Sequence, residues 1–348
     1  MSSIYSVRRL ALMAALATLT LAPPAIAADA VGDFYKGRTI TFIVGTPAGG
    51  IYDVYARTLA RHIGKHIPGN PVTIVQNMPS SGGIGMSNHI YVVAPKDGTV
   101  IGASSNTTPF QPLLGIEQAK FDPKKILWLG SPTQETGVFF VWHTSPTKTF
   151  EDAKKQQVIV GSNGPNGHSG IMAKVLNDIF KTKLKSIDGY AGPAESFLAM
   201  ERGEIEGRAG IFYNQLKAGY EDKLKDGRIR ILLHYGSAPH RDLSPRIPFA
   251  PDLINDTADG QVFALASAPL SVGYPLFMGP DIPAERAAAM RRAVAETYRD
   301  KDFLEEAEKL KIDVAPISGE GMETLISAAY AVPTPVIARF KRLYEAAE

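Results

Sequence analysis

Ile40-Thr-Phe-Ile-Val-Gly-Thr-Pro-Ala-Gly-Gly-Ile-Tyr-Asp-Val-Tyr-Ala-Arg57 is the stretch around which the chain reads. The apolar run 40–44 has the character of a buried parallel strand. Thr46, Pro47, Ala48, Gly49 and Gly50 make a turn with no bulky side chain at its centre. An amphipathic helix is expected to begin near Asp53, with Ala56, Leu59, Ala60, Ile63 and Ile67 at helical spacing. A strand, a glycine-bearing turn and a helix N-terminus form an anion site. Backbone N–H groups point outward there, and the helix dipole favours negative charge. A plain connection whose glycines only make the turn has the same sequence. The rest of the chain must decide between the two.

Working outward, the pattern continues. Pro68-Gly69-Asn70-Pro71 ends the helix, and a second strand spans 72–75. A loop with Gly82, Gly83 and Gly85 precedes a helix to about Val93. The third strand, 99–103, runs into the polar turn Ser104-Ser105-Asn106-Thr107-Thr108. Strands alternating with helices predict a parallel sheet with right-handed crossovers, and strand carboxyl ends are where open α/β sheets bind ligands. Residues 109–137 look irregular, punctuated by Pro109, Pro112, Gly115, Pro123 and Pro132. The strand 138–142 is a candidate for crossing into a second domain. That domain repeats the outline: strand 157–161, a polar turn from Ser162, Asn163 and Gly164 to His168, Ser169 and Gly170, a helix over 171–180, and further strands at 184–188, 205–210 and 228–235. A second crossing strand is expected over 272–278. Asp281 near an N-cap and Pro283 in a first turn start a helix. Ser318 starts another, and the last spans 336–346. These C-terminal helices would brace one domain against the other. No repeat is visible at sequence level.

The N-terminus reads as a secretory signal peptide over 1–27. It has Arg8 and Arg9, an apolar region over 10–22, and Ala25-Ile26-Ala27 as a small-x-small cleavage site. The division that follows is 28–137 plus 240–348 for the first domain and 138–239 for the second. No later segment is long and apolar enough to span a bilayer, so no membrane insertion is expected after cleavage. An exported chain without cysteine fits a bacterial periplasm better than a disulfide-forming secretory route. Of 37 Lys and Arg, the leader removes two, leaving them level with the 35 Asp and Glu. A nucleic-acid footprint would need a basic excess; no nucleic acid is expected.

Catalytic constellations are poor. The seven histidines are scattered. His62 and His66 are four apart on a helix read as largely solvated, with no carboxylate motif nearby to complete a metal site. Ser162 and Ser169 lack a His–Asp partner in sequence, and no Gly-x-Ser-x-Gly elbow is present. Gly82-Gly83-Ile84-Gly85 matches a dinucleotide loop only loosely. No enzyme activity, metal or cofactor is therefore expected. Polar, glycine-rich turns at strand ends in two similar domains have instead the composition of a cleft that grips a small polar ligand.

At this point the residues carry a family. The chain resembles the extracytoplasmic solute-binding receptors of tripartite tricarboxylate transporters, the TctC or Bug family. The motif Val44-Gly-Thr-Pro-Ala-Gly-Gly-Ile-Tyr-Asp53 with Ala56-Arg57 is similar to that family's first-loop signature. Val75-Gln-Asn-Met-Pro79 and Ala94-Pro-Lys-Asp-Gly-Thr99 are similar to its second strand and its Pro-x-Asp-Gly turn. Gly189-Tyr-Ala-Gly192, Ala199-Met-Glu-Arg-Gly-Glu204 and Gly207-Arg-Ala-Gly210 look like a divergent branch. The resemblance implies a two-domain, Venus-flytrap α/β fold, each domain a mostly parallel sheet flanked by helices with crossing strands at the hinge. It implies a monomer that binds a small organic carboxylate and delivers it to a large and a small membrane subunit.

Carried over by position, Pro47 to Tyr52 supply backbone and shape, and Asp53 orients the loop or caps the helix. Ser104, Ser105, Asn106 and Thr107 form the neighbouring wall, and Ser162, Asn163 and Gly164 the cradle of the second domain. The turn after Ser162 spaces its last glycine differently from the family's pattern and then offers His168-Ser169, which leaves the ligand open. Tyr190 is a candidate to stack on the ligand. Arg208 either pairs with a carboxylate or bridges Glu204 or Glu206, and Phe212 reads as core rather than ligand wall. Tyr52 is where ligand preference would differ, so that Tyr52→Ala should weaken binding without lowering apo stability. The alternatives to transport are a sensor feeding a signalling kinase and an exported serine hydrolase built on Ser162 or Ser169 with His168.

Overall fold

In a computed structural model, residues 24–79, 83–165, 167–190 and 192–345 are described. Most of the expected leader lies outside them, as does Gly82; helix α1, Pro24–Tyr35, begins within the leader's last residues. The opening stretch folds as read. Strand β1, Thr39–Val44, runs through the turn into α2, Ile51–Ile63, two residues earlier than the sequence suggests. Strand β2, Val72–Asn77, helix α3, Ile84–Val92, and strand β3, Val100–Ala103, follow. β1 pairs in parallel with both β2 and β3.

The segment expected to be irregular contains a strand, β4, Leu127–Ser131. The chain then enters a second sheet as β5, Gly137–Trp142. Helix α4, Phe150–Lys155, starts on a Thr149–Asp152 capping box that satisfies two orphan donors reciprocally. Then come β6, Val158–Gly161, α5, His168–Phe180, β7, Leu184–Ile187, α6, Pro193–Glu201, β8, Gly207–Phe212, α7, Tyr213–Lys225, and β9, Ile229–Tyr235. The return differs from expectation. Residues 257–272 are helix α8, Thr257–Val272, and only Leu276–Met278 form strand β10. Helix α9, Ala284–Thr297, is N-capped at Pro283 without a side-chain cap, and Asp281 instead takes a positive φ just before it. Helix α10, Lys301–Lys309, strand β11, Ile317–Ser318, helix α11, Gly319–Tyr330, and helix α12, Thr334–Glu345, complete the chain. Ser318 caps α11 by accepting from the Gly321 N–H, as its position predicts.

The two sheets have strand orders β11-β4-β10-β3-β1-β2 and β7-β6-β8-β5-β9. Both are mixed, which qualifies the parallel expectation. In the first, β10 and β11 pair antiparallel with their neighbours; in the second, β5 does so between β8 and β9. The antiparallel strands β5 and β10 are those that follow the two crossings, so each sheet is completed by a strand arriving from the other unit. Ile40, Phe42 and Val44 of β1 bury against Leu59 and Ile63 of α2 and Met290 and Val294 of α9. Each such side chain contributes roughly 1.5–3 kcal/mol of burial. A second core runs between the sheets, joining Phe139 and Val160 to Leu265 of α8 and Phe340 of α12. The C-terminal helices therefore do brace the two units together. His62 and His66, read as solvated, face α10 and its cap: His62 Nε2 lies 2.6 Å from Glu306 and His66 Nε2 3.0 Å from Asp300.

Candidate functional site

The first wall is built on the turn after β1. Gly49 has φ +81, the left-handed region that favours glycine, and leaves its N–H aimed at the Asp53 carboxylate, 2.8 Å away. Asp53 is 2% exposed and also accepts from Arg57 Nε at 2.9 Å and Asn77 Nδ2 at 2.8 Å. Asn77 donates in addition to the Thr46 carbonyl, and Arg57 Nη2 donates to Asn77 Oδ1. Burial alone would push the Asp53 carboxyl up; Arg57, the Gly49 N–H and Asn77 together hold it below its usual range. Asp53 is thus the knot that ties the turn to α2 and β2, and Pro47, Ala48, Gly49 and Gly50 are held exposed above it. Asp53→Asn should lower stability by about 1–3 kcal/mol at pH 7. Because the folded-state pKa is depressed, the wild-type advantage is present above the unfolded carboxylate pKa and fades as pH falls through the folded value. Urea melts of both proteins at pH 7 and pH 3 check this; equal midpoints at pH 7 remove Asp53 from the knot.

Tyr52, the second residue of α2, accepts from the Asn106 N–H at 3.3 Å and packs edge-on against Tyr274 at 4.8 Å between centroids. It joins the two turns of the first wall. Ser104 is fully buried with its hydroxyl on the Ser105 carbonyl, so it shapes the turn. Ser105 and Thr107 share a hydroxyl contact at 3.1 Å, Thr107 is exposed, and Asn106 is buried. The packing of Tyr52 revises the sequence-based expectation for it. Tyr52→Ala should cost the apo protein about 1–3 kcal/mol as well as weakening binding, and Tyr52→Phe should spare most of that stability. Thermal melts of the two variants separate the ring from the hydroxyl; an alanine variant as stable as wild type refutes the packing role.

The second wall centres on Arg208. It is 4% exposed on β8, yet no carboxylate lies within ion-pair distance of it among the described residues. The salt-bridge alternative fails: Glu204 pairs with Arg202, and Glu206 accepts from Ser145 and the Ile159 N–H. Arg208 instead donates to Ser196 Oγ at 2.6 Å, Ser169 Oγ at 3.2 Å and the Gly210 carbonyl. Ser169 and Ser196 sit in the first turns of α5 and α6. The N-cap residues of those helices are Gly167 and Gly192, neither of which supplies a side-chain cap. Two uncapped helix N-termini therefore share one buried guanidinium, the arrangement that favours an anion.

Ser162 and Ser169 fold the turn onto α5. Ser162 Oγ accepts from the Gly164 N–H, and Ser169 Oγ donates to Asn163 Oδ1 at 2.6 Å. Gly210 lets β8 approach this turn, since a Cβ there would stand 2.9 Å from Ser169 Cα. His168 faces Tyr235, 3.3 Å from its hydroxyl, and burial and then Arg208 hold the imidazole down to about 4, so it is neutral at pH 7. Tyr190 leans on Gly161, where a Cβ would meet its ring at 3.2 Å. Phe212, read as core, does pack there, but it also lines a cavity with His168, Asn106 and Thr107.

One group escaped the sequence reading. Glu135, between β4 and β5, is 5% exposed and accepts from Tyr274 Oη at 3.1 Å and Asn214 Nδ2 at 3.3 Å. Burial pushes its carboxyl up to about 7. Tyr274 in turn stacks on Tyr55 at 4.2 Å. Glu135 and Tyr274 lie in the two crossing segments, so this buried cluster sits at the hinge and touches the first wall through Tyr52. A lone Glu between polar residues gives no periodic signal, which is why it was invisible.

With two sheets, crossing strands and opposed polar turns described, comparison with known proteins decides the fold. A TctC solute-binding protein from Polaromonas superposes over 90% of this chain and 99% of its own, with a TM-score of 0.70 at 21% identity. The fold is that of the TctC and Bug solute-binding proteins. A second structure of this TctC-type fold, an R. palustris protein solved with adipate, matches at a TM-score of 0.57 and 16% identity over 89% of this chain and 97% of its own. In sequence, the chain is 35% identical over 107 residues to Protein BugT of Bordetella pertussis, a match covering 31% of each protein. No family model matches. The TctC and Bug resemblance read from the sequence is thus met by both the sequence relative and the structures.

Proposed function

We propose that this chain is a periplasmic receptor of the TctC/Bug family. It captures a small organic carboxylate between its two domains and delivers it to a large and a small membrane subunit of a secondary transporter. The observation that carries the reading is Arg208, a buried cation with no acid partner among the described residues, beneath two uncapped helix starts. An isolated buried charge is costly, and a bound carboxylate would complete it. The exposed turn 47–50 and the turn 104–107 supply the opposing wall, and the adipate complex of a similarly folded protein agrees with the ligand class. Against a hydrolase stands the bonding of Ser169, whose hydroxyl is engaged by Asn163 and Arg208 while His168 turns to Tyr235. The pair of nucleophile and base that acyl transfer needs is not assembled there.

A thermal-shift screen tests the reading. A ligand at a hundred times its dissociation constant should add about 2.7 kcal/mol to stability. Aliphatic, aromatic and amino-acid carboxylates form the panel. Stabilisation by sugars or amines with none by any carboxylate refutes the assignment. Pull-down of two membrane subunits would support transport; capture of a sensor kinase would replace it.

A further inference from the structure

The cavity shared by the two walls has a chemistry of its own. It measures about 220 Å³, smaller than the roughly 300–1,000 Å³ of drug-sized sites, which suits a small ligand. Asn106 and Thr107 reach it from the first wall, and His168 from the start of α5. Behind these it is closed by Phe110, Leu114, Ile171, Phe212, Leu265 and Phe340. Those side chains come from five separate stretches of the chain. None of the residues lining it carries a formal charge at neutral pH, since His168 is held neutral by burial and by the neighbouring Arg208.

From this division of labour we infer that the ligand is a monocarboxylate with an apolar body, aromatic or medium-chain aliphatic, whose body occupies this cavity. The inference rests on the receptor reading above and narrows it. Arg208 is not part of the lining; it lies behind His168, bonded to Ser169, and the carboxylate is placed at the start of α5, next to that guanidinium. The body extends past His168 and Phe212 into the apolar end. A second carboxylate placed there would lose its water and meet no cation, a cost of several kcal/mol for an unpaired ion. Among the lining residues described, the Gln111 side-chain oxygen is buried without a partner. A neutral amide cannot compensate a second anion.

Isothermal titration of the mature full-length receptor tests this without any mutation. The probes are butyrate, hexanoate, octanoate, benzoate and phenylacetate, set against succinate and citrate. Affinity should rise about fourfold with each added methylene until the cavity is full, and the best apolar monocarboxylate should bind at least tenfold tighter than succinate or citrate. Phe212→Ala should lower the affinity for that ligand at least tenfold while leaving butyrate within a factor of two or three. Tighter binding of succinate or citrate, with no gain along the aliphatic series, overturns the inference and leaves the receptor reading intact. Binding of no carboxylate, with another solute class bound instead, overturns both.

Discussion

Arg208→Gln should reduce carboxylate affinity by one to two orders of magnitude while leaving the apo protein folded and nearly as stable. The two halves of this expectation have different origins. A hydrogen bond to a charged group is worth roughly 1.5–3 kcal/mol, and each helix N-terminus adds roughly 0.3–2 kcal/mol toward an anion. Gln removes the charge and keeps the dipoles, so binding weakens without vanishing. Apo stability behaves differently because the guanidinium has no acid to lose among the described residues. Its hydroxyl partners, Ser169 and Ser196, can still be met in part by an amide, and the cost of an uncompensated buried cation disappears. Arg208→Lys should rescue only part of the affinity, since an ammonium cannot span both hydroxyls with the planar fork of arginine. Titration and melts of the two variants decide the matter. Unchanged affinity in Arg208→Gln would mean that the anion sits elsewhere.

Glu135 gives the second large effect. Its carboxyl is raised to about 7 in the folded protein, against an unfolded value near 4.3. The folded state therefore binds the proton more tightly. The stabilisation is fully present below the unfolded pKa and is lost as pH rises through 7. At 1.36 kcal/mol per pKa unit the loss is on the order of 3 kcal/mol. Glu135→Gln keeps an acceptor for Tyr274 and, with its amide turned, meets Asn214. Its stability should lack this slope and should exceed that of the wild type at pH 8 while matching it near pH 4.5. Denaturant melts of both proteins across that range provide the comparison, and parallel profiles would show that Glu135 does not titrate as described.

Much of this was legible in the chain itself, for reasons that can be named. The strands β1, β2, β3, β5 and β6 are short apolar runs bounded by glycine or proline, and their place in a sheet follows from that punctuation. β4 was hidden because Leu127-Trp128-Leu129 is a brief run after a proline-rich stretch. α8 was missed because it is apolar or small on most faces, with Pro269 inside it, so no helical stripe stands out. Its end was then mistaken for strand because Val272, Tyr274 and Phe277 favour extended structure. The turns of the site were readable as glycine-rich segments at strand ends. The state of Arg208 was not, since sequence offers Glu204 and Glu206 as neighbours while tertiary structure assigns both elsewhere. The far wall of the cavity lay beyond reach for the same reason: Leu265 and Phe340 are distant in the chain from Phe110 and Ile171.

The two crossing segments run side by side. Tyr274 N–H donates to Ser131 Oγ, which donates to the Thr133 carbonyl, and Gly273, at φ +61, stands where any Cβ would overlap that carbonyl oxygen. Two cords laced at one point behave as a single short axle. Such an axle joins the two halves of the molecule at the Tyr274 backbone and resists their being drawn apart there. Gly273→Ala would therefore force the two segments apart where they are laced.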